Sequence, residues 1–234
     1  MNKLLTTLFA LAVASVTSFA LAQASAPAKP APAAAPAETA GAKTLEAKTA
    51  MCVGCHGIIG YQSSFPEVYK VPKIAGQSAQ YITAALGEYK KGERKHPTMR
   101  AVATALSDQD MKDIAAYFQG LGQDPNAKLA EKADKQPNEQ VAPLLTKAAC
   151  VSCHGNNFAT PIAGYPKIAG QHADYLFVAL KSYKMDNNPS MGRSNPVMGA
   201  VAKQFSNAEL KELAAYVSSL DGDLKTVPEH RFRK

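Results

Sequence analysis

Cys52-Val53-Gly54-Cys55-His56-Gly57 and Cys150-Val151-Ser152-Cys153-His154-Gly155 decide how the rest of the chain is read. They are two copies of one short pattern, and the residues downstream repeat with them. Pro72-Lys73-Ile74-Ala75-Gly76-Gln77 returns as Pro166-Lys167-Ile168-Ala169-Gly170-Gln171. Tyr81 returns as Tyr175, and Tyr89-Lys90 as Tyr183-Lys184. His96-Pro97-Thr98-Met99 matches Asn195-Pro196-Val197-Met198, and Ala115-Ala116-Tyr117-Phe118 matches Ala214-Ala215-Tyr216-Val217. The offset runs 98, then 94, then 99, so copy one is longer after its first motif and copy two is longer before its methionine. A period of that size marks the duplication of a domain, not a short-period solenoid.

Cys-x-x-Cys-His is the attachment signature of c-type haem. Cysteines at i and i+3 lie on one side of a helical turn, so both sulfurs reach the two vinyl-derived carbons of one porphyrin. The histidine beside the second cysteine then addresses the iron from the same side. Rival readings fit less well. A disulfide framework uses even cysteine numbers but does not require a histidine after each pair. A thioredoxin-type pair needs a βαβ setting, which is not visible, and zinc ribbons hold their pairs much closer together. Cys52, Cys55, Cys150 and Cys153 are therefore read as anchors of two covalent haem c groups, with His56 and His154 as iron ligands. Each iron also needs a distal ligand or an open position. Met99 and Met198 stand at matching positions, each two residues after a proline that would stiffen a ligand-bearing loop. Met51 abuts Cys52, Met111 falls on an apolar stripe, and Met185 and Met191 have no counterpart in copy one; Met191 is the runner-up in copy two. His96, His172 and His230 occupy dissimilar repeat positions and read as solvent-exposed.

Each copy reads as mostly helix. Leu45–Cys55 and Val141–Cys153 are leading helices that end in the cysteine motifs, and Ala79–Lys91 and Ala173–Lys184 are middle helices. Ser107 to Asp110 and Ser206 to Glu209 resemble capping boxes. Behind them Met111, Ile114, Ala115, Phe118 and Leu121 fall at helical spacing, as do Leu210, Leu213, Ala214, Val217 and Leu220. No alternation of strand type competes. The expected organisation is a signal peptide over residues 1–22, an Ala/Pro-rich tether over 23–42 and a first domain over 43–123. A linker over 124–139, a second domain over 140–222 and a tail over 223–234 follow. Lys3, the apolar Leu4–Phe19 and the Ala20-Leu21-Ala22 cleavage site support export.

The chain of 234 residues carries a formal +7, with +3 in residues 43–123 and +2 in 140–222. No segment is basic enough for a nucleic-acid arm. The balance suits acidic protein surfaces or loose contact with an anionic membrane surface.

The paired Cys-x-x-Cys-His, Pro-Lys-Ile-Ala-Gly-Gln, Pro-x-Met and Ala-Ala-Tyr modules resemble class I cytochrome c domains. Their tandem arrangement resembles the dihaem cytochrome c4 family, over Thr44 to about Asp221. The resemblance implies an all-α fold of two tandem haem domains related by a pseudo-two-fold. It implies His56 and Met99 on one iron, His154 and Met198 on the other, and carbonyls of Pro72 and Pro166 that accept hydrogen bonds from the proximal histidines. It also implies a periplasmic carrier between a quinol-oxidising complex and terminal oxidases or reductases. A dihaem peroxidase needs an open iron position, which the duplicated Pro-x-Met argues against, and a haem subunit of a membrane complex needs a retained anchor. Lys90, Lys91, Arg94 and Lys95 form a basic run with no equal in the aligned Lys184–Asn188 of copy two, and read either as a solvated helix end or as a docking patch.

Overall fold

The computed structural model describes residues 44–228. In chain order copy one contains α1 (Leu45–His56), β1 (Gln62–Ser63), β2 (Tyr69–Lys70), α2 (Ala79–Lys91), β3 (Arg94–Lys95), α3 (Pro97–Thr104) and α4 (Asp108–Gly120). Copy two contains α5 (Val141–Ala148), α6 (Val151–His154), α7 (Ala173–Ser182), β4 (Gly192–Arg193), α8 (Pro196–Ala202) and α9 (Asn207–Ser219). The signal segment, the tether over 23–42 and His230 lie outside the described residues. No helix among the described residues is long and apolar enough to cross a membrane.

The helices start where side chains can satisfy their first amides. Thr44 caps α1 by accepting the Ala47 N–H at 3.2 Å, and Ser78 caps α2 by accepting the Tyr81 N–H at 3.4 Å. Ser107 and Asp110 form a reciprocal capping box at α4, and Ser206 and Glu209 form the same box at α9. Gly92 stops α2 with φ +82°, a conformation that favours glycine. The leading helix of copy two departs from expectation. Ala149 takes φ +49° and divides it into α5 and α6. A left-handed alanine costs about 1–2 kcal/mol, offset here by local bonds: the Ser152 hydroxyl and N–H both donate to the Ala149 carbonyl, at 2.6 and 3.1 Å. With no glycine at the position, the pattern gave no warning. The α7 helix also ends two residues before the expected Lys184.

The apolar stripes bury as their spacing demands. Ile82 and Leu86 of α2 pack with Met111, Ile114, Ala115 and Phe118 of α4 and with Val53 of α1. Copy two divides its core into two clusters. Phe158 and Leu176 join Ala214, Val217 and Leu220, while Val141 and Phe205 join Leu210 and Leu213. Phe118 and Leu210 are nearly inaccessible, and burying a side chain of that size stabilises by about 1.5–3 kcal/mol. At the surface, Lys48 ties α1 to α4 through Asp110 at 2.8 Å and Asp113 at 2.6 Å.

That tie has a pH signature. The bonds from Lys48 hold both carboxyls below the usual carboxylate range. A depressed folded pKa contributes stability above the unfolded value of about 4, and that stability is lost as pH falls through the folded values. Lys48→Met should therefore flatten the acid limb of the melting-temperature profile below about pH 4. The change should be modest, because these carboxylates face water. Thermal melts of the two proteins across the acid range make the comparison, and parallel acid limbs would remove the tie as a stabiliser.

Short strands appear where none was expected. β1 and β2 form a two-residue antiparallel hairpin inside the copy-one insertion, with Gln62 opposite Lys70. β3 and β4 pair antiparallel between the copies, with Arg94 opposite Arg193 and Lys95 opposite Gly192. Both copies fall within one compact unit. The connecting segment is bound to copy two: Asn157 Nδ2 donates to the Ala130 carbonyl at 2.7 Å, and the Tyr216 hydroxyl to the Lys135 carbonyl at 2.9 Å. The segment after α9 returns to copy one, where the Lys225 N–H donates to the Ala75 carbonyl at 3.0 Å. Gly76 permits this return, since a Cβ there would stand 2.5 Å from the Asp223 carbonyl oxygen.

Candidate metal centres

Cys52, Cys55 and His56 occupy the last turns of α1, and Cys150, Cys153 and His154 span the start and end of α6. All four cysteines are partly buried, and no disulfide joins any two of them. Burial pushes the Cys52 and Cys150 thiols up to about 11, the reverse of the lowered value that a redox-active pair needs. The histidines are oriented by backbone. His56 Nδ1 lies 2.7 Å from the Pro72 carbonyl, and His154 Nδ1 lies 2.9 Å from the Pro166 carbonyl. A carbonyl only accepts, so Nδ1 carries the proton in both rings and Nε2 keeps a lone pair for a metal. Burial lowers both imidazole pKa values, which keeps the rings neutral and able to ligate.

The methionines sit on helices rather than on loops. Pro97 and Pro196 are first residues of α3 and α8, where a missing N–H costs nothing. The Met99 N–H donates to His96 Nδ1 at 3.3 Å, and the Met198 N–H to Asn195 Oδ1 at 3.0 Å. Equivalent residues thus hold equivalent turns through different chemistry. Met99 is half-buried and packs on the same core cluster as Cys52. Met198 is half-buried on the matching turn, outside the copy-two clusters. Met111 is a core residue, 3% exposed. Met191 is half-buried, and its N–H is held by Asn188 Oδ1 at 2.9 Å. Among the described residues no three His, Cys, Asp or Glu side chains cluster to hold a bare ion.

His96 corrects the reading of it as solvent-exposed. It caps α3, meets the Tyr69 hydroxyl through Nε2 at 3.0 Å, and lies edge-on to Phe65 and Tyr89. His172 is also half-buried, at the start of α7.

Between the copies lies a set of residues that motif reading missed. Gln77 and Gln171, each 4% exposed, reach across to the opposite copy. Gln77 binds the backbone of Lys167 on both sides, and Gln171 binds that of Lys73 in the same way. Where β3 meets β4, two arginines lie in a nest of tyrosines. Arg94 is 6% exposed, pairs with Glu88, and stands 5.2 and 5.7 Å from the ring centres of Tyr81 and Tyr89. Arg193 stands 5.6 and 5.4 Å from those of Tyr175 and Tyr183. Burial pushes the Tyr81 hydroxyl up to about 12, so it keeps its proton while its oxygen accepts the Arg94 Nη1–H at 3.1 Å.

This geometry breaks the basic run and leaves Lys90 and Lys91 at the surface. Arg94 is interior, and Lys95 Nζ donates to the Asn188 carbonyl of copy two. Lys90 Nζ donates to the Leu106 carbonyl at 2.6 Å, and Lys184 makes the equivalent bond to Phe205 at 2.6 Å. The signal was present: the offset of 99 that matches Met99 to Met198 also matches Arg94 to Arg193. Aligning the run with Lys184–Asn188 concealed it.

A family model described as cytochrome c matches residues 38–122 and again residues 139–221. A cytochrome c4 of Stutzerimonas stutzeri is 33% identical over 196 residues, which cover 76% of this chain and 89% of that one. A protein described as a thiosulfate dehydrogenase electron acceptor, from Stutzerimonas stutzeri strain A1501, is 30% identical over 182 residues, covering 72% and 78%. Among solved structures, the cytochrome c4 of Acidithiobacillus ferrooxidans superimposes with a TM-score of 0.54 at 28% identity, over 74% of this chain and 99% of that one.

Proposed function

We propose, from the premise that this chain belongs to the cytochrome c4 family of tandem dihaem c-type cytochromes, that it is a periplasmic electron carrier and not itself an enzyme. Its partners would be a quinol-oxidising complex on the donor side and a terminal oxidase or reductase on the acceptor side. The observation that carries the reading is the repeated pair of His–proline carbonyl contacts, each with a methionine on a capped turn in the matching place. Cys52 and Cys55 would hold one porphyrin by thioethers, and Cys150 and Cys153 the other. His56 and His154 would present Nε2 to the irons, and Met99 and Met198 their thioethers. Each haem then supplies a one-electron ferric/ferrous couple.

The residues between the copies fit such groups. Arg94 and Arg193 are neighbouring cations, among tyrosines, with Glu88 as the carboxylate partner of Arg94. Buried guanidiniums favour acidic partners, and the haem propionates are of that kind. Saturated His/Met irons would leave no position for peroxide. A carrier that delivers to or receives from a specific enzyme is a narrower reading, favoured by the 30% identity to a thiosulfate dehydrogenase electron acceptor.

The test is made on protein expressed with its own leader in a host that attaches haem c. Mass spectrometry should give a chain that begins near Gln23 and carries two haem masses. The ferric protein should show the far-red methionine–iron band, and the reduced protein should bind no carbon monoxide and turn over no peroxide. Carbon monoxide binding at one iron would replace the carrier with a peroxidase-like enzyme.

A further inference from the structure

Each proximal histidine bonds to one end of a peptide group whose other end is held by the opposite copy. The Pro72 carbonyl faces His56 Nδ1 at 2.7 Å, and the N–H of that same peptide, on Lys73, donates to Gln171 Oε1 at 3.0 Å. Gln171 Nε2 then donates to the Lys73 carbonyl at 2.8 Å. The mirror arrangement has His154 on the Pro166 carbonyl at 2.9 Å, the Lys167 N–H on Gln77 Oε1 at 3.0 Å, and Gln77 Nε2 on the Lys167 carbonyl at 2.9 Å. Each Oε1 also accepts the N–H of its own next residue, Ser78 at 2.9 Å and His172 at 3.0 Å. These partners define the amide orientation, because a flipped amide would set oxygen against carbonyl and nitrogen against two donors.

We infer that Gln77 and Gln171 are positioning residues acting crosswise: Gln171 sets the ligand strength of His56, and Gln77 that of His154. The inference rests on the proposed ligation by these histidines. An N–H that donates to a strong acceptor shifts electron density toward the carbonyl oxygen of the same amide, strengthening the next bond in the chain by roughly 10–30%. A stronger acceptor draws on the Nδ1 proton and makes the imidazole a better donor to the metal. Better donation favours ferric iron and lowers the potential. Domain docking thus enters the electronic setting of each haem through one peptide bond, with no contact between Gln171 and His56 required.

A glutamine that merely clamps the domains predicts a different pattern. Its loss would loosen the interface, admit water beside both haems and move both potentials together, downward. The experiment uses the full dihaem protein with Gln171→Met and Gln77→Met made singly, and Gln171→Glu, which keeps the acceptor oxygen. Potentiometric titration resolves the two haems, with Met99→His and Met198→His backgrounds marking which is which, and paramagnetic proton NMR follows the histidine ring signals. Gln171→Met should raise the copy-one potential and shift the His56 signals while leaving copy two nearly unchanged, and Gln77→Met should do the reverse. Gln171→Glu should lower the copy-one potential, and it remains informative if the Met variant does not assemble. Common or downward shifts in the Met variants, no shift in a folded variant, or a rise with Gln171→Glu would each overturn the inference. Wild-type spectra without His and Met ligand signals would remove the ligation reading itself. Intact ligand signals with uncrossed shifts would remove only the coupling.

Discussion

Met99→His should lower the potential of the copy-one haem by roughly 0.1–0.3 V, a fraction of the ~0.8 V span that axial ligation covers. A thioether favours ferrous iron, whereas a second imidazole favours ferric iron, so the sign follows from the ligand exchange. The site suits the exchange. Residue 99 sits in the first turn of α3, fixed by Pro97 and by the His96 cap, so the new imidazole starts from a rigid Cα. The copy-two potential should change little, and half of the far-red methionine band should disappear. Met198→His should give the reciprocal result. Spectroelectrochemistry resolves both. Met191 supplies the control: if Met191→Ala abolished the copy-two band while Met198→Ala spared it, the distal assignment in copy two would be wrong.

Arg94→Leu should cost about 3 kcal/mol of stability, the lower end of what breaking a buried pair costs. The guanidinium is interior, and its removal strips Glu88 of its partner and two tyrosine rings of their cation. The Glu88 side chain retains 29% of its exposure, so water recovers part of the loss. For a protein of this size each kcal/mol moves the melting temperature by about 2–4 °C, so the holoprotein should melt about 6–12 °C lower. Arg94→Lys should lose less, since it keeps the charge and gives up the planar stacking. An exposed docking residue behaves oppositely, with stability changed by under about 0.5 kcal/mol and association slowed. A melting shift of under about 2 °C for Arg94→Leu would return the residue to the surface role that its sequence neighbours suggested.

The duplication, the helical stripes, the capping boxes and the cysteine–histidine motifs were legible because each is a local rule. Cys52, Cys55 and His56 must share one turn, Ser107 must precede Asp110 by three, and Phe118 must follow Ile114 by four. Such spacings specify which face a side chain occupies before anything packs on it. The larger departures arose where a residue's partner lies far along the chain. Arg94 looks like one more cation after Lys90 and Lys91 until β3 pairs with β4, ninety-nine residues later, and turns it inward. His96 looks free until Tyr69 and the turn of Met99 claim both of its nitrogens. Gln77 and Gln171 stand inside the repeated Pro-Lys-Ile-Ala-Gly-Gln motif, yet a motif repeated in one chain does not say that its copies bind each other. Ala149 has no sequence mark at all, because a left-handed alanine persists only when its surroundings hold it there. Helices, repeat and cysteine–histidine motifs are therefore readable from the residues alone, since they follow from periodicity and covalent reach. Which cations are buried and which amides join the copies emerges only on folding, since burial and pairing depend on chain segments that local spacing does not relate.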